Sequence, residues 1–166
     1  MDPNSINIDD LLAKSENNDS LDQSKEETLH QRFARERVEW TNKIRSMSEN
    51  MKDIYKVSEL MTTIYTERQI AVEYYHLLLT ILSKVIVKYR KQFAEKYDFY
   101  SWKSQKRFPN EKTKEIQILS DIGDLVEKKD ELDTHLKFMN STIGTIDNLI
   151  YGIKYKVEIE QISRGK

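Results

Sequence analysis

The chain has 166 residues, of which 33% are charged and 38% are apolar, with a formal net charge of −1 and no cysteine. This length suits one domain with a modest core, and the net charge gives no global reason to expect nucleic acid as a partner. The lack of cysteine excludes a disulfide framework, a thiolate zinc site and a cysteine nucleophile, and it agrees with a reducing cytoplasm.

Neither a secretory signal nor a membrane span is expected. The amino terminus, MDPNSINIDD, lacks the basic start and the apolar segment of a secretory signal. The most apolar run, residues 77–87, is about half as long as a bilayer span and contains Lys84. The sequence therefore predicts a soluble cytoplasmic protein with no membrane partner.

Charge is distributed unevenly along the chain. Residues 1–30 hold eight acidic and two basic side chains, a net charge of −6, whereas residues 84–116 hold ten basic and four acidic ones, a net charge of +6. The chain thus has an acidic front and a basic middle.

Residues 1–29 are predicted to form a disordered acidic tail, because their few apolar side chains bury too little surface to offset chain entropy. A docking motif over residues 6–12 and a plain solvated tail both stay open for this segment. Residues 30–166 are predicted to form one all-α domain. Residues 4–108 contain neither proline nor glycine, which favours long helices over a sheet.

Apolar spacing predicts the first two helices. The first begins near residue 30 and carries the stripe Trp40, Ile44, Met47, Met51 and Ile54. Serine and threonine residues then predict a bend or short connection near residues 58–66. The second helix ends near Ser101, before an irregular segment from Lys103 to Thr113, and carries the stripe Tyr75, Leu78, Leu82, Val85, Tyr89, Phe93, Tyr97 and Tyr100.

A third helix, predicted over about residues 117–160, has the most regular pattern. Its heptad-like stripe is Leu132, Leu136, Met139, Ile143, Ile146, Ile150, Ile153 and Val157. Such spacing predicts that the stripe packs against a partner helix, from the same chain or from another copy. We predict a helical hairpin or bundle that self-associates into a homo-oligomer through Leu136, Met139, Ile143, Ile146, Ile150 and Ile153.

Small residues form a second stripe on the same predicted helix, at Ser141, Gly144, Asn148 and Gly152. Each glycine costs about 1 kcal/mol of helix propensity. Either another backbone approaches this stripe closely, or the glycines are tolerated on a solvated face.

The residue inventory argues against an enzyme. The three histidines are isolated, the acidic residues of 121–133 are interrupted by two lysines, and the four glycines are too dispersed for a phosphate loop. We expect no catalytic residue, no metal site and no cofactor.

The basic middle points to a different chemistry. Cations neutralise phosphates and aromatic rings stack on unpaired bases, a combination that suits single-stranded nucleic acid. The predicted binding residues are Lys84, Lys88, Lys91, Lys96, Phe99, Trp102, Lys103, Lys106 and Arg107, with Phe108 as a further stacking candidate.

A second interpretation, without nucleic acid, is also consistent with the sequence. Tyr89, Phe93, Tyr97 and Tyr100 continue an apolar stripe, so they suit a core better than a base platform. From composition alone, a helical interaction module with a solvated basic face is as consistent with the sequence as a nucleic-acid binder.

The motif Asp98-Phe-Tyr-Ser101, between a basic helix and a turn, resembles the Asp-Tyr-Tyr-Ser/Thr-Gly segment of the UvsY-type recombination mediators of T4-like phages. The resemblance covers residues 68–166 and continues through Glu111-Lys112, the segment LSDIGDL at 119–125, the segment IYGIK at 150–154 and the closing Gly165-Lys166.

The resemblance implies a non-catalytic homo-oligomer that binds single-stranded DNA in recombination and repair. Such mediators load a RecA-like recombinase onto DNA coated by single-strand-binding protein. Lys96 stands where the family has an arginine, Ala94 replaces a lysine and Trp102 replaces a glycine. The alternative is a coiled-coil structural or assembly protein, such as a virion component, with a solvated basic face.

Overall fold

Helices account for 91% of the residues that the structure, a computed structural model, describes: 27–51 and 57–165. In chain order they are α1 (Leu29–Asn50), α2 (Val57–Asp98), a π-helical turn (Phe99–Lys103), α3 (Glu111–Asp121) and α4 (Gly123–Arg164). These described ranges contain no strand, and the long helices pack against each other. The predicted all-α fold is confirmed. Residues 1–26 of the predicted acidic tail lie outside the described residues.

Side-chain caps define where two of the helices begin. The Thr28 hydroxyl accepts a hydrogen bond from the Gln31 backbone N–H at 3.2 Å, and the Gln31 side chain accepts one from the Thr28 N–H at 3.0 Å. This reciprocal pair is a capping box, which satisfies amide groups that a helix start leaves unpaired. At α3, the Asn110 side chain accepts from the Thr113 N–H at 2.9 Å.

The chain forms two compact units, the first comprising residues up to Leu77 together with Leu136–Lys166. In this unit, α1, the first half of α2 and most of α4 bury apolar side chains. The buried residues on these segments are Phe33, Trp40, Met47, Leu60, Ile64, Ala71, Tyr74, Leu136, Met139, Ile146, Ile150 and Ile153.

Polar contacts fix how the helices of the first unit meet. Glu36 on α1 accepts a hydrogen bond from the Tyr74 hydroxyl on α2, and Lys43 lies 2.6 Å from Glu67. Since the residue number rises on α1 as it falls on α2, the two helices run antiparallel.

The carboxyl-terminal helix is tied to both of its neighbours in this unit. Arg68 on α2 forms a 2.6 Å ion pair with Asp147 on α4. The Lys156 ammonium of α4 donates to the Met51 carbonyl at the end of α1, at 2.8 Å. The three segments therefore form a small helical bundle.

The second unit, Leu78–His135, contains the rest of α2, the π-helical turn, α3 and the start of α4. Its core consists of Leu78, Ile81, Val85, Ile118, Ile122, Leu125 and Leu132, with a buried His135. Ile122 alone separates α3 from α4, and its carbonyl accepts from the N–H groups of Leu125 and Val126.

The bend predicted near residues 58–66 is wrong, because α2 is helical there. The threonine hydroxyls donate back to carbonyls one turn earlier, as Thr66 does to Thr62 at 2.9 Å, and so are satisfied inside the helix. The buried stripe of α2 also runs through Tyr74 and Ile81 instead of Tyr75 and Leu82.

The single helix predicted over about residues 117–160 is wrong in two respects. Helical structure begins earlier, at Glu111, within the segment from Lys103 to Thr113 that was predicted to be irregular, because the Asn110 side chain caps the helix there. The chain also leaves the helix at Ile122, and α4 begins at Gly123.

Downstream of that break, the predicted heptad stripe packs as a partner surface within the same chain. Of the six residues predicted for self-association, five are buried and Ile143 is half-buried. Self-association itself stays a prediction, and it requires another surface.

Among the described helices, the continuous segment of residues 57–103 is long and apolar enough to cross a membrane by length and composition. Core helices of water-soluble proteins meet the same criterion. The expectation of no membrane partner stays a prediction.

Candidate nucleic-acid interface

The π-helical turn at the end of α2 presents two aromatic rings to solvent. The Ser104 N–H donates to the Phe99 carbonyl at 2.8 Å, and this wider hydrogen bond closes the turn. Trp102 is 84% exposed and Phe99 is 46% exposed. An exposed indole contributes little buried surface to the core, and its flat face is accessible for stacking on an unpaired base.

Other rings of this region serve packing. Phe108 contacts Tyr100 edge-on, with ring centroids 5.2 Å apart, and the Lys114 ammonium lies 4.1 Å from the centre of the Tyr97 ring. Phe108 is half-buried and so is a poorer stacking candidate than the sequence suggested. Tyr97 and Tyr100 are half-buried, so neither lies in the buried core, and each donates through its hydroxyl to a carboxylate of α3.

Lys96 is engaged with α3. Its ammonium lies 3.4 Å from the Asp121 carboxylate, which also accepts from the Gln117 amide at 2.8 Å. Hydrogen bonds from Tyr100 and Gln117, together with the Lys96 charge, hold the pKa of Asp121 below its usual value. The Asp121 carboxylate therefore offsets part of the positive charge of Lys96, so Lys96 attracts a phosphate less strongly than its position in the sequence implied.

The cations that follow Trp102 differ in whether other side chains of the protein hold them. Lys106 donates to Gln117 at 2.6 Å and lies 5.4 Å from the centre of the Phe108 ring. Lys103 and Arg107 are exposed, and no ion pair holds either of them within the described part of the chain. Lys103 directly follows Trp102 in the chain and Arg107 follows five residues later, so these two are the candidates to contact phosphates.

The lysine stripe of α2 continues into the aromatic turn. Lys84 and Lys91 are exposed, and Lys88 is half-buried. Positions 84, 88, 91, 95, 99 and 102 are spaced three or four residues apart, so Phe99 and Trp102 extend the lysine face. The face is roughly 27 Å long at 1.5 Å per residue. Glu95 interrupts it, 4.0 Å from Lys91.

A lysine of α4, Lys128, lies near Lys88, and sequence reasoning missed this proximity. Burial, with the nearby Lys88 charge as a second cause, lowers the pKa of Lys128. Two ammonium groups held near each other strengthen the positive potential on this side of the unit. Periodicity along one helix carries no sign of such a contact, because it arises only where α2 meets α4.

The described residues 27–51 and 57–165 contain no group of three or more side chains placed to hold a metal ion. The fold and site thus define an all-α protein with an exposed aromatic and cationic face. Comparisons with protein-family models, curated proteins and solved structures find no match to the chain.

Proposed function

We propose that the protein binds single-stranded DNA along the face that runs from Lys84 to Trp102. The observation that carries the proposal is the Trp102 ring, which is 84% exposed, with the exposed cations Lys103 and Arg107 one and five residues further along the chain. Phosphates of the strand lie against these two cations, while an unpaired base stacks on the indole. Stacking tolerates every base, so binding is only weakly dependent on sequence.

The resemblance of residues 68–166 to UvsY-type mediators supports a specific role for this binding. In that role the protein has no catalytic activity, and it loads a RecA-like recombinase onto DNA coated by single-strand-binding protein during recombination and repair. Trp102 replaces a glycine of the family pattern, so a stacking ring is added at that position.

Fluorescence anisotropy of a labelled oligothymidine, titrated at several salt concentrations with duplex competitor, tests the binding. Trp102→Ala is expected to weaken it about tenfold, because stacking contributes about 1–3 kcal/mol per base. Tyr65→Ala is the matched control, since it removes a ring that is 46% exposed in the first unit. Equal losses in both variants would remove Trp102 from the site.

The contribution of the cations to DNA binding can be measured separately, from the dependence of the binding constant on salt concentration. Replacing Lys103, Lys106 and Arg107 by glutamine should lower the slope of log K against log salt, by about 0.7 for each phosphate that is no longer neutralised. The control replaces three exposed cations of the first unit, Arg35, Arg45 and Arg164. A slope that is unchanged in the first variant would contradict the assignment, and absence of binding by the wild type would favour an assembly protein.

Recombinase loading is tested by single-strand-dependent ATP hydrolysis of a RecA-like recombinase on DNA coated with single-strand-binding protein. Added protein should shorten the lag, and Trp102→Ala should restore it. A normal lag reduction by a variant that no longer binds DNA would separate mediator function from this face.

An exposed apolar face on α4 favours the second candidate, an assembly role, and is compatible with the first. Tyr151, Tyr155, Ile159 and Ile162 are each 49–68% exposed and follow helical spacing. Lys154 and Glu158 flank them, so antiparallel pairing with a second copy brings opposite charges together and sets each tyrosine against an isoleucine. We propose this face as the contact for homo-oligomerisation.

Light scattering after gel filtration tests the contact. The double variant Tyr155→Lys, Ile159→Lys should yield a smaller species with unchanged helicity, because it places charges in the seam. Val38→Lys, which alters a side chain that is 60% exposed on α1, is the control. An unchanged mass for the double variant would contradict the contact.

A further inference from the structure

A cavity lies beside the π-helical turn, within the second unit. It measures about 480 Å³, is broadly open to solvent, and is lined by Gln92, Glu95, Lys96, Phe99, Asp121 and Ile122. Four of these residues come from the end of α2 and the turn that follows it, and two come from the junction of α3 with α4. This volume falls in the range of small-ligand sites.

Phe99 supplies the aromatic surface of the cavity. Its ring is 46% exposed, whereas Ile122, 5% exposed, adds only a small aliphatic surface to the wall. A flat heteroaromatic ring can therefore stack on Phe99. Gln92 and Glu95, about one turn apart on α2, place polar groups where the edge of that ring would lie. A phosphate fits poorly, because the Glu95 and Asp121 carboxylates repel it.

Two polar side chains of the cavity retain hydrogen-bonding capacity. The nearest cation to Glu95 is Lys91 at 4.0 Å, which is beyond hydrogen-bond length, and no hydrogen bond holds the Gln92 side chain within the described residues. Asp121, in contrast, already accepts from Tyr100, Gln117 and Lys96. Glu95 and Gln92 are therefore the residues available to hydrogen-bond the polar edge of a ligand.

We propose that this cavity receives one unpaired nucleobase whose Watson–Crick edge places an exocyclic amino group beside a ring-nitrogen acceptor, which is true of cytosine and adenine but not of guanine. The inference rests on the proposed binding of single-stranded DNA and gives that site a base preference. The amino group donates to the Glu95 carboxylate, and the Gln92 amide donates to the adjacent ring nitrogen. Thymine turns a carbonyl oxygen toward the carboxylate instead, so it enters less readily.

Anisotropy titrations with oligodeoxycytidine and oligodeoxythymidine of equal length, at one salt concentration and neutral pH, test the preference. The wild-type chain should bind oligodeoxycytidine about fivefold more tightly, a modest share of the discrimination that a full bidentate contact provides. The double variant Gln92→Ala, Glu95→Ala should bind both strands equally. Glu115→Ala, which removes an exposed carboxylate from α3, should keep the preference.

The outcomes separate the two proposals. Tight binding of both strands with equal affinity by the wild type would overturn the base preference and leave the DNA-binding function intact. A preference that survives in the Gln92, Glu95 double variant would overturn the assignment to this cavity. Binding of neither strand would overturn the proposed function together with the inference. Circular dichroism of each variant establishes that its helices are retained.

Discussion

The Tyr100 hydroxyl donates a 2.6 Å hydrogen bond to the Asp121 carboxylate and so fastens the π-helical turn to the end of α3. The same carboxylate accepts from Gln117 and pairs with Lys96, so one side chain collects contacts from both elements. The exposed Trp102 lies two residues after Tyr100. The position of the proposed stacking ring thus depends on how the neighbouring Tyr100 is held.

Asp121→Asn is expected to lower the free energy of unfolding by less than about 1 kcal/mol, because solvent screens most of the charge of the Asp121 carboxylate. The pKa of Asp121 is lowered from 3.8 in the folded chain, so its stabilising effect is present above that value and is lost as pH falls through the lower folded value. Urea unfolding of both chains should differ at pH 7 and converge under strongly acidic conditions. A difference that grows on acidification would contradict the sign.

Glu36 is completely buried, and it accepts hydrogen bonds from the Tyr74 hydroxyl and from Arg32 at 2.9 Å. Burial, with the Glu36 carboxylate as a further cause, raises the pKa of Tyr74 above its usual value, so the phenol stays protonated and donates. Glu36→Ala leaves those donors without their acceptor and should cost about 3 kcal/mol of unfolding free energy.

Urea unfolding measures that cost, and Glu39→Ala on the same helix provides the control. Glu39 is exposed and lies 3.7 Å from Arg35, so its removal should change stability by less than about 1 kcal/mol. Equal effects of the two substitutions would show that the buried cluster contributes no more than a surface ion pair.

Ile146 is completely buried on α4. Ile146→Ala should lower the unfolding free energy by about 2–5 kcal/mol, because it removes buried methyl groups and leaves a cavity. Ile116→Ala, which truncates a side chain that is 58% exposed on α3, should change it by less than about 0.5 kcal/mol. Denaturant unfolding followed by circular dichroism compares them. If Ile146→Ala altered only the mass of the particle, the stripe would lie between copies instead of inside one chain.

Much of the fold could be predicted from the sequence, for identifiable reasons. The lack of glycine and proline over residues 4–108 leaves little to interrupt a helix, and Leu132, Leu136 and Met139 keep a regular spacing that matches their burial. The break at Ile122 was missed because a single residue suffices for it. The low helix propensity of Gly123 was the available signal.

The candidate site was predictable in its residue types but not in their contacts. Exposure of Trp102 agrees with its place off the apolar stripe. The pairing of Lys96 with Asp121, the approach of Lys128 to Lys88 and the cavity beside Phe99 all depend on how separate helices meet. Spacing along one helix reports which residues share a face, and it carries no information on what lies opposite them.

The two glycines inside α4 meet different surroundings, which allows a matched test of the small-residue stripe. A Cβ added at Gly144 meets nothing within 4 Å, whereas one added at Gly152 lies 3.1 Å from the Met51 side-chain methyl. Gly144→Ala should stabilise the chain by about 1 kcal/mol through helix propensity alone. Gly152→Ala should gain less, because the Met51 methyl must move. Thermal unfolding compares the two substitutions, and destabilisation by Gly144→Ala would indicate that another backbone does approach that position.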